Sequence, residues 1–214
     1  MGLQKIIFML AGPIRQKVKP NHADKFEQEV IVTQFSHPPP SQLTNLDKRP
    51  HISEVYRWLA EHSERTQSIV DDAITNISAG KHPLVLTERR EHAELINQLL
   101  IENEIETVIL RGGMPANEKL SDTQVVVATG KYIGEGFDLP RLDTLFLAMP
   151  IAWKGSLAQY AGIIHRESDG KDHVAIFDYV DSSLPMLERM FRKREKGYKA
   201  MGYQVTFFEK KLFQ

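Results

Sequence analysis

The feature that most constrains this chain is a rhythm in its second half, where short apolar runs alternate with stretches of helical period. Leu84-Val85-Leu86, residues 107–110, Val125-Val126-Val127, residues 144–148 and residues 174–177 are all apolar or nearly so, and polar or glycine-containing turns bound each of them. Between the first two lies a helical stretch with Leu95, Ile96, Leu99 and Leu100 on one side. Runs this short and this continuous read as strands covered on both faces, and such strands belong to parallel sheets flanked by helices. The expected fold class is α/β, an open, doubly wound, mainly parallel sheet. Ligands in such sheets bind beyond the carboxyl ends of the strands. Functional residues are therefore sought in the segments that follow these runs.

Upstream, residues 6–10 and 29–33 read as strands separated by a polar stretch that includes Pro20-Asn21-His22. His37-Pro38-Pro39-Pro40-Ser41 then predicts an extended connector, because three prolines lack three backbone donors. Two amphipathic helices follow, one on Ile52, Val55, Tyr56 and Leu59, the other on Ile69, Val70, Ala73, Ile74 and Ile77, with Gly80 as its stop. Residues 184–202 also read as a helix, with Met186, Leu187, Met190 and Phe191 apolar and Arg189, Arg192, Lys193, Arg194, Lys196 and Lys199 basic. That charge run is either a solvated face or a nucleic-acid contact. The organisation expected is an N-terminal segment of strands and proline-rich connector over residues 1–50, an α/β domain over 51–182 and a basic helical extension over 183–214.

Composition narrows the partners. The 27 Lys and Arg balance the 28 Asp and Glu to a net charge of −1, so a polyanion must be met by a local patch and not by a global field. The absence of cysteine excludes disulfides and thiolate metal sites, and the eight histidines show no metal-ligand spacing, so no metal site is expected. Residues 6–11 form a short apolar run without the basic leader or long apolar core of a signal peptide, and no stretch approaches the ~18 apolar residues of a membrane span. A cytoplasmic protein with no membrane partner is the expectation.

Two blocks carry the chemical signal. The first is Ala128-Thr129-Gly130-Lys131-Tyr132-Ile133-Gly134-Glu135-Gly136-Phe137-Asp138, directly after the run at Val125-Val126-Val127. Its glycines let backbone approach a ligand closely, Thr129 offers a hydroxyl, and Asp138 can accept from a sugar hydroxyl. A plain glycine-rich turn is the competing reading. The second block is Gln159-Tyr160-Ala161-Gly162-Ile163-Ile164-His165-Arg166, whose Gln159, Ile163 and Arg166 share one face of a helix at i, i+4 and i+7.

In this order the two blocks resemble motifs V and VI of superfamily-2 helicases. Leu84-Val85-Leu86-Thr87-Glu88-Arg89-Arg90 is similar to motif IV, and Leu110-Arg111-Gly112-Gly113-Met114 to the strand end that touches the nucleic-acid backbone. Residues 134–150 and 177–202 look most like the helicase subunits grouped with type III restriction systems. The resemblance implies the C-terminal RecA-like lobe, with Gly134, Glu135, Gly136 and Asp138 on the ATP ribose and phosphate side. It implies Arg166 as an arginine finger with Gln159 beside it, and Thr87, Arg89, Gly112 and Thr129 facing nucleic-acid phosphates, DNA favoured.

Two departures from the family pattern qualify this. Ile163 stands where the family has the first of two motif VI arginines, and an isoleucine cannot neutralise phosphate charge. Lys154 or Arg141 are the neighbouring cations that would have to substitute. A P-loop is also lacking: around Gly80-Lys81, Gly130-Lys131 and Gly170-Lys171, Thr75, Val125 and His165 replace the first glycine, and His82, Tyr132 and Asp172 replace Ser or Thr. No Asp-Glu-x-His segment is present. ATP and Mg²⁺ would therefore be held only with a first lobe supplied in cis or in trans, and the chain alone is expected to bind neither. A degenerate or free-standing nucleic-acid-binding lobe without ATPase activity is the alternative, and another doubly wound nucleotide-binding enzyme, such as a glycosyltransferase, is the remote one.

Overall fold

The computed structural model describes residues 26–44, 50–110, 123–130, 133, 139–151 and 156–209. The elements run β1 (Glu27–Phe35), α1 (Ser41–Thr44), α2 (Ile52–Glu61), α3 (Ser63–Ser78), β2 (Pro83–Thr87), α4 (Arg90–Glu102), β3 (Thr107–Leu110) and β4 (Val125–Thr129). They continue with β5 (Thr144–Leu147), α5 (Ser156–Ile164), β6 (His173–Asp181), α6 (Pro185–Met201) and β7 (Gln204–Glu209). The strands form one sheet in the order β3-β4-β2-β5-β6-β1-β7, and every pairing among them is parallel. The expected strand over residues 6–10 lies outside the described residues.

Alternate side chains along the inner strands enter opposite cores, as the period of two requires. On one face Leu84, Leu86, Val126, Ala128, Leu145, Leu147 and Ile176 pack with Leu157, Ala161 and Ile164 of α5 and Phe191 and Tyr198 of α6. On the other, Val85, Val125, Val127 and Phe146 meet Ile69, Val70 and Ala73 of α3 and Ala93, Ile96 and Leu100 of α4. This double burial is why β2 and β4 read as unbroken apolar runs. A third cluster, with Leu43, Val55, Leu59, Met149, Leu184 and Leu187, caps the carboxyl edge beneath α1 and α2.

Three details differ from the sequence reading. Gly202, at φ 95° in the left-handed region, ends α6, and the chain then forms β7, which pairs with β1 instead of trailing as a helical end. Its Phe207 and Phe208 are exposed, so neither burial pattern nor neighbours mark it as a strand in the sequence. Arg194 does not belong to a solvated face: it is buried and forks onto Asp178 of β6 at 2.8 and 2.9 Å, with the Tyr198 hydroxyl donating to the same carboxylate at 2.8 Å. Finally, α5 stops at Ile164, so Arg166 lies past the helical turn that would align it with Gln159.

Candidate functional site

The carboxyl edge gathers the segments that follow β2 and β4. Thr87 and Thr129, the last residues of those strands, are register partners. Just beyond them the Tyr160 hydroxyl, reaching from α5, donates to the Gly130 carbonyl at 3.3 Å. A β-carbon on Gly130 would stand 2.5 Å from that hydroxyl oxygen and 2.9 Å from Glu88 Oε1. Three segments far apart in sequence, after β2, after β4 and on α5, thus meet at one point. Burial pushes the Glu88 carboxyl up, and burial followed by the nearby Glu88 charge pushes the Tyr160 phenol up, so the phenol stays a donor at neutral pH. The same two causes push Tyr56, whose hydroxyl donates to the Pro150 carbonyl, up to about 12.

Behind this edge is a buried polar chain. His92 Nδ1 lies 3.0 Å from the Thr87 hydroxyl and Nε2 lies 3.1 Å from the Thr66 hydroxyl on α3. Thr87 also accepts from the Arg89 amide at 3.4 Å. Burial, then the Arg65 and Arg89 charges, lowers the His92 pKa to about 3, so a neutral imidazole links the two hydroxyls. Thr87 is 1% exposed, which makes its hydroxyl a brace for the β2–α4 turn, while Arg89 is the partly exposed residue of that turn and reaches the Ser53 carbonyl at 3.5 Å.

The motif VI segment divides between surface and core. Gln159 is exposed on α5, whereas Ile163 is 7% exposed and joins the main core with Leu157 and Ile164. Arg166 lies at the opposite, amino edge of the sheet: its carbonyl accepts from Lys171 Nζ at 2.8 Å, beside the Pro140 and Leu142 carbonyls that receive the same ammonium. Burial lowers the Lys171 pKa to about 8. The structure therefore brings Thr87, Arg89 and Thr129 to one edge and the Arg166 backbone to the other. Gly112, Gly134, Glu135, Gly136 and Asp138 lie outside the described residues. His92, Glu88 and Tyr160 carry the local geometry yet had no assigned role in the sequence, because their contacts join segments far apart in the chain.

No protein-family model matches the chain. It is 24% identical over 170 residues to transcript termination protein A18 of Fowlpox virus (strain NVSL), a match that covers 70% of this chain and 37% of that protein. Among solved structures, T4 UvsW superposes with a TM-score of 0.67 at 14% identity, over 85% of this chain and 41% of UvsW. The C-terminal domain of the DEAD-box protein Dbp5 superposes at 0.54 with 12% identity, over 87% of this chain and 91% of that domain. The chain has the fold of the C-terminal RecA-like lobe of superfamily-2 helicases. The lobe also belongs to one family with uncharacterized protein 108L of Invertebrate iridescent virus 3, to which it is 36% identical over 84 residues, 39% of this chain and 76% of 108L. It spans well under half the length of A18 and of UvsW. Among the described residues of the lobe, no helix is long and apolar enough to cross a membrane.

Proposed function

We propose that this lobe is the second motor lobe of an ATP-dependent DNA helicase or translocase, working with a P-loop lobe supplied in cis or in trans. The observation that supports the reading is the convergence of Glu88, Gly130 and Tyr160, one residue from each of the three motif-like segments, at the carboxyl edge. Dbp5, solved bound to RNA, and the fowlpox transcript termination protein support a nucleic-acid partner. Arg89, Gly112 and Thr129 contact phosphates, and Thr87 sets the turn that presents Arg89. Gly134, Glu135, Gly136 and Asp138 take the sugar and phosphate side of ATP, Gln159 faces the same ligand from α5, and Arg166, past the end of that helix, is the finger that neutralises charge in phosphoryl transfer. Without a P-loop or an Asp-Glu-x-His segment this chain does not build the family's magnesium site, so Mg²⁺ and the β- and γ-phosphates fall to the other lobe.

The test is DNA-stimulated ATPase of the assembled lobes with Arg166 and with Arg166→Ala. A fall of ~10³-fold or more in turnover is expected; unchanged turnover would remove Arg166 from the mechanism. Robust hydrolysis by the purified chain alone would sink the half-site reading. The second reading, a nucleic-acid-binding lobe without ATPase, draws on Ile163, whose place in the core leaves one of two family cations missing. Salt-sensitive DNA binding with no ATPase in the assembled lobes would select it.

A further inference from the structure

At the carboxyl ends of β1 and β6, away from the Glu88, Gly130 and Tyr160 cluster, two imidazoles and a carboxylate converge. His37 follows β1 and is 1% exposed. Its Nδ1 lies 2.8 Å from Asp181 Oδ2, at the end of β6. A buried carboxylate in that position makes Nδ1 the protonated nitrogen and leaves the Nε2 lone pair pointing away from it. The His62 ring lies over the His37 ring with centroids 3.5 Å apart, and Glu64 Oε2 is 4.0 Å from His37 Nε2. Among the described residues, neither His37 Nε2 nor His62 Nδ1 has a hydrogen-bond partner, although both atoms are shielded from solvent. Two shielded nitrogens without partners are costly to fold unless something accepts their lone pairs.

We propose that His37, His62 and Glu64 form a binding site for a first-row divalent metal ion, zinc foremost. One ligand atom from each residue lies within 4.8 Å of the other two. An ion at about 2.0–2.2 Å from each of them draws the three somewhat closer, and the Glu64 side chain, 61% exposed, has room to make that movement. Two neutral imidazoles and one carboxylate are the donor set of zinc and its neighbours, not of calcium or magnesium. Asp181 is the outer carboxylate that fixes ring orientation and tautomer in such sites, and Ser183 N–H holds its other oxygen at 3.1 Å. The negative charges of Glu64 and Asp181 favour a cation. The Arg65 guanidinium opposes one, but it is engaged with the Ala148 and Tyr179 carbonyls at 2.7 and 3.3 Å. A bound ion ties the end of β1 to the first turn of α3. The next residues of that turn, Arg65 and Thr66, hold the ends of β5 and β6 and His92, so occupancy stiffens the support beneath the Thr87 turn. Sequence spacing hides the site because His37 and the pair His62 and Glu64 are joined only by the fold.

The experiment titrates the full chain, stripped with chelator, with ZnCl₂ by calorimetry and with Co²⁺ by visible absorption. One saturable equivalent is expected, with d–d bands of a low-coordinate Co²⁺ centre and a rise in melting temperature on adding Zn²⁺. His62→Ala should abolish binding, and Glu64→Gln, at an exposed position that leaves the fold intact, should weaken it at least ~10-fold. Absence of saturable binding, or binding undiminished in both variants because other histidines capture the ion, overturns the proposal.

Discussion

The Tyr160 hydroxyl occupies the space beside Gly130 that a side chain there would need: it donates to the Gly130 carbonyl at 3.3 Å and would stand 2.5 Å from a β-carbon. Close approach, and not backbone freedom, is what demands glycine at this position. Gly130→Ala is expected to destabilise the lobe by about 1–3 kcal/mol, the usual cost of overpacking. Adding Tyr160→Phe, which removes the colliding oxygen, should restore part of the loss, since Glu88 can swing aside. Urea unfolding of the single and double variants measures this, and a neutral Gly130→Ala would show that the three segments are not in contact.

Ile163 packs in the main core at 7% exposure, which decides what restoring the family arginine would do. Ile163→Arg places a charge among Leu157, Ile164 and their neighbours, and burying an unpaired charge is among the most destabilising substitutions. A drop of at least about 3 kcal/mol is expected, against about 1 kcal/mol for Ile163→Val. Thermal unfolding distinguishes them. An Ile163→Arg variant that melts with the parent would mean that the side chain reaches solvent and is a candidate second finger.

Asp178 and Arg194 form a buried bidentate pair joining β6 to α6, and Tyr198 completes it. Arg194→Ala leaves the carboxylate buried without its cation and should cost about 3–5 kcal/mol. Arg194→Lys keeps the charge but not the fork, and should recover only part of it. Denaturant midpoints of the two variants, compared at low and high salt, test the point: the pair is shielded, so salt should change the difference little.

His92 gives the lobe a stability that falls in acid. Its pKa is about 3 in the folded state against the ordinary 6.5, so between those values the unfolded chain binds a proton that the folded chain does not. Stability is thus greatest above pH 6.5 and declines as pH falls through that window, by at most about 1.4 kcal/mol per pH unit from this group. His92→Gln, neutral at every pH, should flatten that slope between pH 6.5 and 4.5 in urea titrations. A slope unchanged by the substitution would assign the effect to other groups.

The two buried polar centres show where sequence reading stops. Arg194 sits in a run of basic residues and looks like its solvated neighbours, because only the packing of α6 against β6 turns one of them toward Asp178. His37 and His62 are 25 positions apart and unremarkable in spacing, yet the fold sets the start of α3 beside the end of β1 and stacks their rings. Strand β7 leaves no mark in the sequence for a related reason. It is an edge strand with outward aromatics, so the partner that makes it a strand is β1, nearly the whole chain away.

Residue type and order alone determined the layered α/β architecture. A strand buried on both faces must be apolar throughout, as β2 and β4 are, and the helices between must carry one apolar face each. The motif-like order from Leu84 to Arg166, the missing P-loop and the missing arginine at Ile163 were equally fixed by sequence. What the tertiary structure decided is which of those residues meet. It joined Glu88, Gly130 and Tyr160, turned Ile163 inward, enclosed the Thr87 hydroxyl and put the Arg166 backbone at the far edge of the sheet. The physical reason is that strand and helix periods specify faces locally, whereas contacts between faces depend on the order of strands in the sheet, and that order is set by long-range packing that no local pattern records.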